Sequence, residues 1–200
     1  MNEFLRWLPR VFMAVSAAAL LGLCVISDPP KLAKGSFFSD GATYYSMTWS
    51  LVSDFDFEYT AGDLARVKRE YPGGPSGIFL KRTSGGLELD GSFPWIKQVG
   101  EDDKRIYFGK AMTYAVLAAP FVAVFGTPGF LVFNAVCLLI AWLCAFVELR
   151  TRTTEGLAVA ASGVLVVATI APLYIFWIQP EVMNLAVISL ALLAWRRDQP

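Results

Sequence analysis

The sequence predicts an all-α, polytopic membrane protein. Only 17% of its 200 residues are charged, against about 25% in soluble domains. The charges are also segregated. They leave uncharged runs at 11–27, 111–125, 130–147, 156–180 and 182–195, and runs of this length suit helices in lipid. Arginine pairs flank these runs at Arg6/Arg10, Arg150/Arg152 and Arg196/Arg197, a pattern that orients membrane helices.

The first run, VFMAVSAAALLGLCVIS, follows Arg6 and Arg10. It reads as an uncleaved anchor (1–27) with a cytoplasmic N-terminus. Trp7 belongs at the interface. Asp28-Pro29-Pro30 ends the helix, because proline cannot continue it.

Residues 28–110 are polar and too long for a turn. Ser39 or Asp40 is placed to cap a helix over 41–52. That helix carries Tyr44, Met47, Thr48 and Leu51 on one face and Tyr45, Trp49 and Val52 on another. Its aromatic content suggests that it lies in the membrane interface. An acidic group follows at Asp54, Asp56 and Glu58. A second short helix is expected over 61–71. Pro72-Gly73-Gly74-Pro75 and Ser84-Gly85-Gly86 then mark an irregular loop.

Residues 111–128 hold fifteen uncharged residues broken by Pro120, followed by Gly126-Thr127-Pro128. If every run crossed the membrane, two arginine pairs would fall outside. If 111–128 is instead interfacial or re-entrant, all three pairs are cytoplasmic. Four spans follow, at about 8–27, 129–147, 156–178 and 181–195, the last three filling 129–200. The 28–110 loop and the turn at Gln179-Pro180-Glu181 then face the extracytoplasmic side.

Composition also limits the chemistry. There is no histidine, which excludes Ser-His-Asp and Cys-His nucleophile systems and histidine metal sites. Acid–base work falls to carboxylates, lysine, tyrosine or cysteine. Cys24, Cys137 and Cys144 lie in apolar runs without metal-type spacing and read as packing residues. A net charge of zero gives no basic footprint for nucleic acid.

An ordered set of short motifs runs along the chain: Asp40-Gly41-x-x-Tyr44-Tyr45, Ser50-Leu51, Asp54-x-Asp56-x-Glu58-Tyr59, Tyr107-Phe108-Gly109-Lys110, Pro120, Phe125-Gly126 and Pro180-Glu181. With the anchor before it, this set resembles the GT-C superfamily of integral-membrane glycosyltransferases. The nearest likeness is to dolichyl-phosphate-mannose protein mannosyltransferases and bacterial aminoarabinose transferases. Phe108-Gly109-Lys110 stands where His-Pro-Pro or Lys-Pro-Pro is commoner, which weighs against protein O-mannosylation. The resemblance implies a large extracytoplasmic first loop with juxtamembrane helices, a polyprenyl-phosphate sugar donor, and an early acidic residue of that loop, here Asp40, as the base. It also implies that the chain is the N-terminal part of a longer protein of the bacterial inner membrane.

The expected reaction moves a sugar from that donor to an acceptor lipid, glycan or protein. Asp40 would take the acceptor's proton. Lys110, with Arg105 or Lys104, would balance the departing phosphate. Tyr44, Tyr45 and Glu181 are further substrate-binding candidates. Asp54, Asp56 and Glu58 suit a divalent metal ion or sugar hydroxyls. The residues by themselves leave plainer roles open: a helix cap for Asp40 or Glu181, a solvated turn at 54–58, a snorkelling Lys110 and an interfacial belt for the tyrosines. The alternative function is a non-enzymatic transporter or assembly subunit whose loop binds a partner.

Overall fold

A computed structural model describes residues 3–32, 37–83, 86–89, 96–99 and 105–197. In chain order they form α1 (Glu3–Ile26), α2 (Pro29–Leu32), β1 (Phe37–Phe38), α3 (Ser39–Asp54), α4 (Ala61–Glu70), β2 (Pro75–Ser76), β3 (Leu80–Thr83), β4 (Gly86–Leu89), β5 (Ile96–Val99) and β6 (Arg105–Phe108). There follow α5 (Thr113–Phe125), α6 (Pro128–Arg150), α7 (Glu155–Val167), a 3-10 turn (Ala171–Phe176) and α8 (Glu181–Arg197). The chain divides into two units. One is Asp28–Phe130, and the other joins Met1–Ser27 to Leu131–Pro200.

Among the described residues two helices are long and apolar enough to cross a membrane: α1 over Trp7–Ile26, and α6. The 23 residues of α6 extend roughly 35 Å at the α-helical rise, more than a bilayer's hydrocarbon thickness of about 30 Å. Helix α1 turns Val11, Phe12, Val15, Leu23 and Ile26 outward, an apolar surface that water solvates poorly.

The expected span at 156–178 is not one helix. Helix α7 stops at Val167, and the chain bends over 168–170 before the 3-10 turn. Pro172 removes a donor and disfavours helical geometry in the residue before it. Thr169 Oγ1 takes up the irregularity, donating to Leu165 O at 2.6 Å and accepting from Ala171 N at 3.2 Å. From α6, the fully buried Asn134 donates Nδ2–H to Ile175 O at 3.1 Å and Trp177 O at 2.8 Å. Buried irregular backbone requires partners of this kind. Trp142 Nε1 likewise donates to Ser162 Oγ at 3.0 Å, tying α6 to α7. Arg10 and Glu155 tie α1 to α7 through a 2.6 Å contact. All three cysteines are free and buried.

The Asp28–Phe130 unit is built around α3. Residues 41–48 of this helix are all buried, which corrects the expectation of an interfacial helix. The sequence looks too polar for such burial, but its hydroxyls bond to carbonyls one turn back: Thr43 to Ser39 O at 2.9 Å, Ser46 to Ala42 O at 2.8 Å and Thr48 to Tyr44 O at 2.7 Å. Helix α5 packs against α3 through Tyr114, Ala115, Ala118 and Val122 and leaves Val116, Leu117, Val124 and Phe125 exposed. It is therefore part of the loop unit, not a segment apart.

The chain leaves α5 at Gly126, whose φ of +66° with ψ −147° only glycine adopts easily. A Cβ on Gly129 would collide with the Phe121 carbonyl, so this corner depends on glycine's missing side chain. Helix α4 matches the expected 61–71 segment. It begins with a capping box in which Thr60 and Asp63 bond reciprocally.

Strands are a departure from an all-α chain. β3 and β6 pair antiparallel from Leu80↔Phe108 to Thr83↔Arg105, β4 and β5 from Gly86↔Val99 to Leu89↔Ile96, and β1 pairs parallel with β2. Residues 57–59 lie along β6, with Tyr59 N donating to Ile106 O at 2.7 Å. The expected irregular loop therefore contains hairpin structure. Ser84 and Gly85 lie outside the described residues.

Candidate active site

Helix α3 opens at Ser39, whose φ of +54° is uncommon for a residue with a Cβ. Asp40 comes next. It is not the cap, since Phe38 occupies that position without a side-chain bond. Asp40 sits instead in the first turn, where the helix dipole favours negative charge. Strand β6 delivers Lys110 to the same place. Its Nζ lies 2.9 Å from Asp40 Oδ1 and 3.0 Å from Oδ2. The same ammonium is 4.1 Å from the centroid of the Phe79 ring, close enough for a cation–π contact. Gly109 N donates to Phe79 O at 2.7 Å, and Phe79 N donates to Thr43 Oγ1 at 3.0 Å. The backbone around Lys110 is thus pinned to α3 through Phe79. The two charged side chains keep 35% and 26% of their surface exposed, so a ligand can reach them.

The other expected residues are elsewhere. Tyr44 and Tyr45 are buried inside the Asp28–Phe130 unit, which corrects the expectation of open substrate-binding or interfacial side chains. Tyr44 packs on Tyr114 with centroids 5.2 Å apart. Tyr45 is fully buried among Phe37, Tyr71 and Phe130. Its hydroxyl donates to Glu70 Oε2 at 3.0 Å, and Thr127 Oγ1 donates to the same oxygen. Burial, reinforced by the charge of Glu70, pushes the Tyr45 phenol far above its ordinary range, against an opposing bond from Thr127. Burial raises Tyr71 in the same way.

Nor do the three clustered carboxylates converge. Asp54 pairs with Arg66 at 2.9 Å, and Glu58 with Arg105 at 3.4 Å. Asp56 accepts from Ser50 Oγ at 2.8 Å and from Glu58 N at 3.1 Å, so it closes the turn after α3. Among the described residues no three carboxylates or thiols are grouped to hold a metal ion. Arg105 is engaged by Glu58. Lys104 lies outside the described residues. Glu181 starts α8 in the other unit and is exposed.

The sequence reading missed Phe79, Glu70 and Thr127. No local pattern marks them, because each acquires its role from partners 25 to 57 residues away in the chain, as with Tyr45 and Thr127 on Glu70 and Lys110 over Phe79. The expected helix over 61–71 was legible, and the Thr60–Asp63 capping box seen in the structure marks where it begins.

Comparisons with family models, with curated proteins and with solved structures found no match.

Proposed function

We propose that the chain is a multi-pass glycosyltransferase of the bacterial inner membrane, or part of one. It would move a sugar from a polyprenyl-phosphate donor to an acceptor on the extracytoplasmic face, with its N-terminus cytoplasmic. The observation that supports this most is the contact between Asp40 and Lys110, a carboxylate and a cation held together at an accessible point beside an aromatic ring.

Glycosyl transfer needs both charges. The acceptor oxygen attacks C1 of the sugar while Asp40 removes its proton. The C1–O bond to phosphate breaks, and its electron pair leaves with the phosphate, where Lys110 balances the added charge. In the ligand-free pair each group neutralises the other. A donor phosphate competes for the ammonium and leaves the carboxylate free to act as base. The Phe79 ring offers a flat apolar face for a sugar.

The test is release of polyprenyl phosphate from a polyprenyl-phosphate-sugar donor by the purified protein supplied with membrane acceptors. Asp40→Asn should abolish release while the amount of protein in the membrane stays the same. Full turnover in that variant would sink the assignment. The second reading, a loop that binds a partner protein, draws on the exposed Phe38, Phe55 and Met112 of the Asp28–Phe130 unit. It expects Asp40→Asn to leave function intact.

A further inference from the structure

Side chains of α6 and α8 line a groove. One cavity of ≈ 340 Å³ is walled by Ala141, Cys144 and Ala145 of α6 and by Leu185, Leu192 and Trp195 of α8. A second, of ≈ 230 Å³, continues past Leu165 and Leu185, which line both, to Tyr174 and Glu181. Together they follow α8 from Glu181 to Arg196, roughly 22 Å at the helical rise. The walls are hydrocarbon nearly throughout. Ser189 is among the exceptions, and its hydroxyl is turned back to Leu185 O at 2.7 Å.

One end is different. Arg152 and Arg196 both reach Glu148 Oε1, at 3.0 and 3.2 Å. Two guanidiniums share one carboxylate, so the mouth keeps a net positive charge. The arginines remain 54% and 49% exposed and hold donors that a single carboxylate oxygen cannot use. Trp195, also exposed, stands at the same end, as aromatic residues do at a bilayer's edge.

We propose that this groove binds one acyl chain of an anionic glycerophospholipid, with the phosphate held by Arg152 and Arg196. A long apolar slot suits a linear hydrocarbon chain, and the positive mouth selects an anionic headgroup. The basic end is the one that the arginine pattern assigns to the cytoplasmic leaflet, where anionic lipids lie. The inference is independent of any glycosyltransferase activity.

Native mass spectrometry of the full chain, incubated in detergent with phosphatidylglycerol and phosphatidylcholine, tests it. The expected result is phosphatidylglycerol adducts in excess. That excess should be lost in the Arg152→Ala/Arg196→Ala double variant, and both adducts should be lost in Ala145→Trp, which fills the slot. An unchanged excess in the arginine variant, or adducts surviving in Ala145→Trp, overturns the proposal. So does a dimer that resists added lipid and disappears in Ala145→Trp, since a second copy would then be the occupant. A measurement that leaves the groove unaltered guards against misfolding. The fluorescence lost on Trp195→Phe should be quenched more by brominated phosphatidylglycerol than by the brominated choline lipid. Equal quenching overturns the proposal.

Discussion

The ammonium of Lys110 lies within 3.0 Å of both carboxylate oxygens of Asp40, a residue 70 positions earlier. A helix start and the end of a strand meet there. The pair is partly exposed, so its contribution to stability is small: a double-mutant cycle with Asp40→Asn and Lys110→Met should give a coupling of about 0.5 kcal/mol, and under about 1 kcal/mol. Thermal denaturation of the four proteins measures it. If the proposed function holds, glycosyl transfer should by contrast fall by orders of magnitude in either single variant.

Tyr45→Phe deletes one hydroxyl and leaves Thr127 as the remaining donor to the Glu70 oxygen. The bond is part-buried and made to a charged acceptor, so its loss should cost about 1.5–3 kcal/mol. Thr127→Val should act through the same oxygen, and the two substitutions should be non-additive. Denaturant unfolding of the single and double variants checks both statements.

Burial raises the phenols of Tyr45 and Tyr71 above their ordinary value. In the unfolded chain both ionise near pH 10, the usual tyrosine value. The folded chain retains those protons to higher pH. The unfolded state then binds fewer protons than the native one, so stability is complete below about pH 10 and falls as pH rises beyond it. Unfolding midpoints measured across the alkaline range should show this decline. Tyr45→Phe should make it shallower.

Phe55 ends α3 with φ +59° and is half exposed. A left-handed conformation costs a residue with a Cβ about 1–2 kcal/mol, and glycine is the usual solution at a helix end. Phe55→Gly should therefore raise stability by about 1 kcal/mol, seen as a higher unfolding temperature. A drop would show that the Phe55 ring contributes more than its backbone costs.

Gly129→Ala should destabilise by about 1–3 kcal/mol, because the new methyl group meets the Phe121 carbonyl. Gly22→Ala, where a Cβ would meet nothing within 4 Å, should be tolerated. Comparing unfolding temperatures of the two separates close packing from helix propensity.

Local signals carried well from sequence to structure. The polar break after α1, the helices at 61–71 and 111–125, and the glycine corner at 126 each rest on residues that act within a few positions of themselves. The polarity of α3 misled, since a count of serines and threonines does not reveal that their hydroxyls are satisfied by the same helix. The 156–178 run misled for the opposite reason: it is apolar enough, but Pro172 and the reach of Asn134 decide its backbone. At the candidate site, the family resemblance singled out Asp40, and Lys110 stood out as a cation for the departing phosphate. Their contact could not, nor could the place of Phe79 beneath the ammonium, because strand pairing between β3 and β6 brings them together.

The two units differ in how they occupy the chain. Asp28–Phe130 is continuous, whereas the other unit is made of pieces on either side of it. Arg10 reaches its partner Glu155 across 145 residues. During synthesis, then, the inner segment can complete its contacts as soon as residue 130 emerges. Helix α1 must wait for α7, and the entropy of closing that long interval is reduced when the intervening chain has already collapsed. The order of assembly is written into the connectivity: the continuous unit first, the unit of two pieces afterwards.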